Sequence, residues 1–328
     1  MHRSNEVAKD QNATLTTLSD TVVQIGAPLA PEIPLYLHLV HGTDFVALID
    51  SGLPQSGDLV DQLISAGAGG LPLRYLCTTH AHHDHIGNHR RLRDKHGALV
   101  VAASGSQPWM VDPDRNLREF AFHHPHIWGP TEQSLAELTP TFDGIIEVDI
   151  QLEGVVRLAL GGGVELESVT ANGHLPAELG WFETNSRTLV LGDAVTGTDW
   201  PFFHGHVSPT ILLATLRSLE TFSREREVVT IAFSHYSARG PVEFSKLVRV
   251  VSNQIEQVRG YVLRAVGSGP ASLHAVWQAV CGFAGKQPEF RALSTVQGHL
   301  DALVAEGDIR LVGPETYARA TNTQRIML

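Results

Sequence analysis

The stretch His80-Ala81-His82-His83-Asp84-His85 decides how the rest of the chain is read: four histidines and one aspartate fall within six residues. Residues 73–77 lead in with the apolar character of a short strand, and residues 86–96 lead out with that of a helix. The cluster therefore sits on a strand-to-helix turn, where side chains converge on one point. Neutral imidazole and carboxylate are ligands for a borderline divalent cation such as zinc. The plain alternative is a histidine-rich surface loop, but tracts of this composition read first as metal sites.

Upstream, residues 21–26, 35–40 and 45–49 read as strands, with His41-Gly42-Thr43-Asp44 as the turn between the last two. The third strand runs into Asp50-Ser51-Gly52, an acidic residue followed by a flexible turn. Residues 55–66 carry Leu59, Leu63 and Ile64 at helical spacing. Residues 1–20 read as a loose leader. Downstream of the cluster, residues 98–103 form a further strand. Residues 104–143 then break the rhythm with Pro108, Pro113, Pro125, Pro130 and Pro140, together with Trp109, Trp128, His123, His124 and His126. That segment is too rich in proline for regular structure and too aromatic for a solvated linker, so an insertion folded over the site is expected. Short strands follow at 147–154, 155–160, 164–170, 178–182 and 188–191, then a helix at 209–221 and a strand at 228–233.

Three more candidate ligands emerge at strand ends: His174, Asp193 and His235. His204, His206 and Tyr236 lie close by in sequence. Strand ends along one sheet edge are where sites of α/β folds are assembled. Any one of these residues alone would be an ordinary surface or core residue; their agreement in order and placement is what carries weight.

The set His80-x-His82-x-Asp84-His85, Gly173-His174, Gly192-Asp193 and Ser234-His235, preceded by Asp50-Ser51-Gly52, resembles the metallo-β-lactamase superfamily across roughly residues 20–240. The resemblance implies an α/β fold, a four-layer αββα sandwich with metals at one edge of the paired sheets. It implies two divalent metal ions, zinc foremost. His80, His82 and His174 would hold the first, Asp84, His85 and His235 the second, and Asp193 would bridge both. Asp84 would also be catalytic, orienting the nucleophile or taking its proton. The sequence departs from the family at Ala171-Asn172-Gly173-His174, where Thr-Pro-Gly-His is common, and at Gly87-Asn88, where Gly-Gly is common. Neither departure removes a ligand.

From residue 241 the pattern changes. Phe244, Leu247, Val248, Val251, Ile255, Val258, Val262 and Leu263 mark one face of a long helix. Helices at 272–280 and 293–306 and a small strand or wing at 307–313 follow. We place a boundary near residue 240, giving a catalytic domain at 21–240 and a smaller one at 241–328. The second resembles the winged-helix-like domain of glyoxalase II-like family members. Lys and Arg number 9 there against 7 Asp and Glu, an excess of two that does not make a DNA-recognition surface. Dimerisation, as a homodimer, or walling of the active site is the expected role.

Other residues carry subsidiary expectations. Asp50 either fixes an imidazole tautomer or caps its own loop. His83, the histidine of the cluster without a ligand's role, is expected to face solvent, with a proton-transfer role as the alternative. His123, His124, His126 and Trp128 form one group and Trp200, His204 and His206 another; both are expected to line the pocket, with an extra metal at an interface as the alternative for the histidines. Tyr236 would donate to a substrate oxygen or simply pack.

The formal net charge of −11 argues against a general affinity for nucleic acid or anionic membrane. Two cysteines, Cys77 and Cys281, make no disulfide framework. No apolar run reaches the roughly 18 residues of a membrane span, and the first residues show no secretion signal, so a cytoplasmic protein with a small-molecule substrate is expected. Water held between two cations loses a proton near neutral pH. The expected reaction is attack of that hydroxide on a small ester, thioester or lactone. Phosphodiester or RNA cleavage, and hydrolytic dehalogenation of an activated aromatic, are the alternatives. β-Lactam hydrolysis fits poorly with the missing secretion signal, and an iron oxygenase with an intact second ligand set.

Overall fold

The computed structural model describes residues 14–30, 33–195, 198–203 and 205–320. Short, almost wholly apolar segments such as Val46–Ile49 and Thr188–Leu191 are buried along their length, as strands covered on both faces must be. They lie in two sheets. The first has seven strands in chain order: β1 (Thr14–Thr17), β2 (Val22–Ala30), β3 (Ile33–His41), β4 (Val46–Ile49), β5 (Leu73–Cys77), β6 (Leu99–Ala103) and β7 (Ile150–Leu152). It is antiparallel up to β4 and parallel from β4 to β7. The second contains β8 (Arg157–Gly161), β9 (Val164–Thr170), β10 (Leu179–Glu183), β11 (Thr188–Leu191) and β12 (Thr230–Phe233), in the spatial order β12-β11-β10-β9-β8. Only β11 and β12 run parallel in it.

The sheets face one another across a core of Val40, Ile49, Cys77 and Val101 from the first and Leu160, Leu166, Trp181 and Val190 from the second. Helices cover both outer faces. On the first sheet, α1 (Gly57–Gly67) packs Val60, Leu63 and Ile64 against Leu37, Leu48 and Leu76. The cluster motif continues into α2 (His83–Ile86) and α3 (His89–His96). The expected single helix over 86–96 breaks at Gly87-Asn88. Asn88 turns its amide to the Ser51 and Leu53 carbonyls at 2.8 and 2.7 Å. A Cβ at Gly87 would lie 2.6 Å from the Gly52 carbonyl oxygen, so only glycine lets the two turns approach. The outcome is the expected αββα sandwich.

Two expectations need correction. Within the stretch read as a leader, Thr14–Thr17 form β1 and pair with β2; residues 1–13 lie outside the described residues. The segment 104–143 is regular where the proline count predicts otherwise. It holds α4 (Gln107–Met110), α5 (Pro113–Phe120) and α6 (Glu132–Leu138). Pro108 and Pro113 stand at the first positions of their helices, where a proline's missing N–H costs nothing and its fixed φ favours the turn.

In the second half, α7 (Pro209–Glu225) and α8 (Pro241–Val266) cover the second sheet. At 26 residues, α8 is about 39 Å long. Its Phe244, Val248, Val251 and Ile255 pack with Leu212, Leu216 and Phe233 of the sandwich. Its Val258, Val262 and Val266 pack instead with α9 (Leu273–Ala284) and α10 (Phe290–Ala305). A three-stranded sheet of β13 (Ala271–Ser272), β14 (Ile309–Gly313) and β15 (Thr316–Arg319), in the order β13-β15-β14, closes this region. Position 240 thus precedes a helix shared by two cores.

Candidate metal centre

The ends of β4, β5, β9, β11 and β12 release Asp50, the His80–His85 turn, His174, Asp193 and His235. Two groups of side chains able to hold a metal ion result: His80, His82, His174 and Asp193, and beside them Asp84, His85 and His235. In the first, His82 Nδ1 lies 3.0 Å from both His80 Nε2 and His174 Nε2. Three imidazole nitrogens crowded this way fit the corners of a tetrahedral zinc site, where bonds of about 2.0–2.1 Å set ligand atoms about 3.3 Å apart. In the second, Asp84 Oδ2 lies 3.6 Å from His85 Nε2 and 3.4 Å from His235 Nε2.

Asp193 faces both groups. Its Oδ1 is 3.6 Å from His85 Nε2 and 3.5 Å from His235 Nε2, while Oδ2 is 3.7 Å from His174 Nε2. Among the described residues, His85 Nε2 and Asp193 Oδ1 are buried without a hydrogen-bond partner. Orphaned polar atoms are costly to bury, and here they point at each other across a gap of cation size.

Contacts behind the cluster set its tautomers. Asp50, 1 % exposed, accepts from Thr79 N and Thr79 Oγ1 at 2.8 Å each and from His85 Nδ1 at 2.8 Å. It does so from a left-handed backbone conformation, φ 59°, which is uncommon outside glycine. Of the two expectations for Asp50, the structure places it against the imidazole. His235 Nδ1 donates to the Pro34 carbonyl at 2.8 Å, which leaves Nε2 to face the cluster. Glu178 Oε1 accepts from the backbone N–H groups of Asp193 and Ala194 at 2.6 and 2.8 Å. Nothing in the local sequence flags Glu178, which lies 15 residues from Asp193 and meets it only because β10 and β11 pair.

Residues 36–235 match the sequence model of the metallo-beta-lactamase superfamily, which is more than half of the chain. The chain belongs to this superfamily. Among Bacillus subtilis (strain 168) proteins it is similar to the uncharacterized protein YobT, 28% identical over 164 residues (49% of this chain, 62% of the relative). It is likewise similar to the probable metallo-hydrolase YflN, 29% identical over 154 residues (45% of this chain, 54% of the relative). The chain thus spans less than two thirds of these relatives. Of solved structures, a metallo-beta-lactamase family protein from Thermus thermophilus superposes with TM-score 0.73 at 19% identity, covering 92% of this chain and 100% of that one. A beta-lactamase domain protein from Burkholderia ambifaria gives 0.68 at 20%, covering 93% and 95%. These two likenesses concern the fold.

In this metallo-beta-lactamase superfamily member the centre opens into a cavity of about 100 Å³ lined by His83, Phe120, Trp200, Phe202, Phe290 and Arg291 as well as candidate ligands. Among the described residues, Trp200 is the one expected substrate contact that lies here, its ring 5.5 Å from that of His235. His83 does not face solvent as expected; it lines the cavity and packs near Phe120 and Phe142 at 6.5 and 6.1 Å. His123, His124 and His126 do not line it. His123 is held by the backbone and α10, its ring nitrogens lying 2.9 Å from the Phe120 carbonyl oxygen and 3.4 Å from Ser294 Oγ. His124 and His126 meet Glu315 at 2.9 and 2.6 Å, tying the insertion to the C-terminal sheet. Trp128 packs on Phe290 and the C-terminal core. His206 is buried against His299 at 3.1 Å. Tyr236 packs beside Phe233, and His204 lies outside the described residues. The wall is built instead from Phe120, Phe202 and Phe290, which no local pattern marks.

Burial, reinforced by neighbouring imidazoles, pushes His80, His82 and His174 well below the ordinary histidine range, so all three are neutral at pH 7, as ligands must be. His85 differs. Burial lowers it, but Asp84, Asp50 and Asp193 outweigh that and hold it at about 10. At neutral pH His85 therefore carries a proton that a metal must displace. Metal loading is expected to release protons, with affinity rising by up to about tenfold per pH unit between pH 6 and 8. Calorimetry in buffers of differing ionisation enthalpy measures this; a pH-independent affinity would contradict the assignment of His85.

Proposed function

We propose that the protein is a hydrolase of a small ester, thioester or lactone, working with two zinc ions held by His80, His82 and His174 on one side and Asp84, His85 and His235 on the other. The observation that carries this reading is Asp193, whose two carboxylate oxygens each face one group at the floor of a small aromatic cavity. A bound divalent cation supplies Lewis acidity and an acidified water. The protein's own part is positional. Asp50 and Pro34 orient the imidazoles of His85 and His235. Asp84, half-buried at the cavity, accepts or holds a proton next to the reacting centre. Phe120 and Trp200 restrict water around it.

The net charge of −11 supports a small-molecule substrate over nucleic acid. Two free, buried cysteines support a reducing, cytoplasmic setting. No helix among the described residues is long and apolar enough to cross a membrane. The C-terminal helices and small sheet are read as winged-helix-like, and their role as a wall of the pocket, with Phe290 and Arg291 lining it. Four aromatic rings around the cavity support one second reading, hydrolytic displacement on an activated aromatic ring. Elemental analysis followed by assays on thioesters, lactones, phosphodiesters and chloroaromatics separates these. Ester or thioester turnover that stops on chelation and returns with zinc is the expected result. Turnover that survives complete metal removal would sink the proposal.

A further inference from the structure

The cavity contains one side chain of fixed positive charge among its described lining residues, and it comes from the C-terminal region. Arg291 stands on the first turn of α10. Its Nε donates to Glu289 Oε2 at 2.7 Å, and Glu289 Oε1 accepts from Ala292 N at 3.2 Å as the cap of that helix. The guanidinium lies 3.7 Å over the centre of the Phe202 ring and 5.2 Å from that of Phe290. Gly205, at φ 91°, packs close to Arg291: an added Cβ there would lie 3.3 Å from Arg291 Cβ. The planar group is thus held by an acid at Nε and by aromatic rings. Its two terminal nitrogens have no acceptor among the described residues, and the side chain is 31% exposed and lines the cavity.

A guanidinium fixed at one end with a free two-nitrogen edge is the donor pattern that takes a carboxylate through paired hydrogen bonds. Chain architecture agrees. Lys286 Nζ donates to the Thr198 carbonyl at 2.9 Å and to that of Trp200, and Gln287 N donates to the Pro201 carbonyl at 2.9 Å. Residues 286–291 therefore grip the loop that carries Trp200 and Phe202, so the cation and the aromatic wall are positioned as one unit. We infer that Arg291 recognises a carboxylate on the substrate, placed beyond the bond that is hydrolysed, so that the acyl compound this protein acts on is an anion. This rests on the hydrolase reading above and adds the substrate's charge to it.

The test uses the metal-loaded full chain and the variant Arg291→Met, which keeps an apolar stem over Phe202. Two matched aryl thioesters are compared, one with a succinyl acyl group and one with its terminal amide. The wild type is expected to favour the succinyl compound by about 10- to 100-fold in kcat/KM, through KM, and the variant to lose that preference, falling far more on the succinyl compound than on the amide. Equal losses on both compounds would make Arg291 a structural strut and overturn the inference, as would no loss on either. If neither compound is turned over, the hydrolase reading fails, and calorimetry with succinate decides Arg291 separately. Succinate binding that weakens tenfold or more in Arg291→Met, at unchanged metal content, upholds it; absent or unaltered binding overturns it.

Discussion

Replacing Asp193 with alanine should lower turnover by about three decades, roughly 4 kcal/mol of transition-state stabilisation, and should weaken metal retention at both groups together. The reason is geometric. Oδ1 lies within 3.6 Å of His85 and His235, and Oδ2 within 3.7 Å of His174, so one truncation removes a facing oxygen from each group. A histidine such as His82 belongs to one group only, and His82→Ala should first weaken one metal. Elemental analysis across a chelator series, alongside turnover, measures the difference. Should Asp193→Ala retain both metals at wild-type affinity, the carboxylate does not join the two groups.

The second large effect is expected at Asp50, which is not among the residues lining the cavity over the centre. Asp50→Ala leaves Thr79 N, Thr79 Oγ1 and His85 Nδ1 without their acceptor in a buried place. Unmet buried donors cost about 1–3 kcal/mol each, and breaking a buried charged pair about 3–5 kcal/mol. Freed imidazoles lose their orientation, and loss of such an outer partner costs about 10–100-fold in metal affinity. The variant should therefore melt earlier even without metal and bind metal more weakly. Asp50→Asn, which keeps one oxygen for Thr79 N, should recover most of the stability but little of the affinity, since its NH₂ opposes the His85 N–H. Equal metal affinity in all three proteins would show that Asp50 supports the fold alone.

The candidate ligands were legible because each stands where a short apolar strand ends, and strands that run the same way, β4 with β5 in one sheet and β9, β11 and β12 in the other, bring such ends to one edge. The aromatic wall was not, because Phe120, Phe202 and Phe290 come from three separate segments and share no spacing. The insertion misled for a local reason: prolines that forbid a helix interior are favoured at its first turn, and counting them does not reveal which position they hold. His124 and His126 misled for another. They stand in the insertion, far in sequence from every candidate ligand, and only the chain's return at Glu315, 191 residues beyond His124, decides which way they face. Arg291 carried no signal at all, since a lone arginine opening a helix is ordinary until the helix is seen to border the cavity.

The helix α8 has a consequence for how the molecule comes apart. A single continuous rod serves as outer layer for one core and as central member for the other, with no flexible joint between Ile255 and Val258 where the duty changes. Fraying at its far end removes partners from Val262 and Val266 and propagates toward Phe244 one turn at a time. Heat or denaturant therefore meets a cooperative body rather than two beads on a string. A protease clipping near residue 240 would release no intact catalytic fragment, because the sandwich would lose the cover over Phe233 and Leu212 along with the tail.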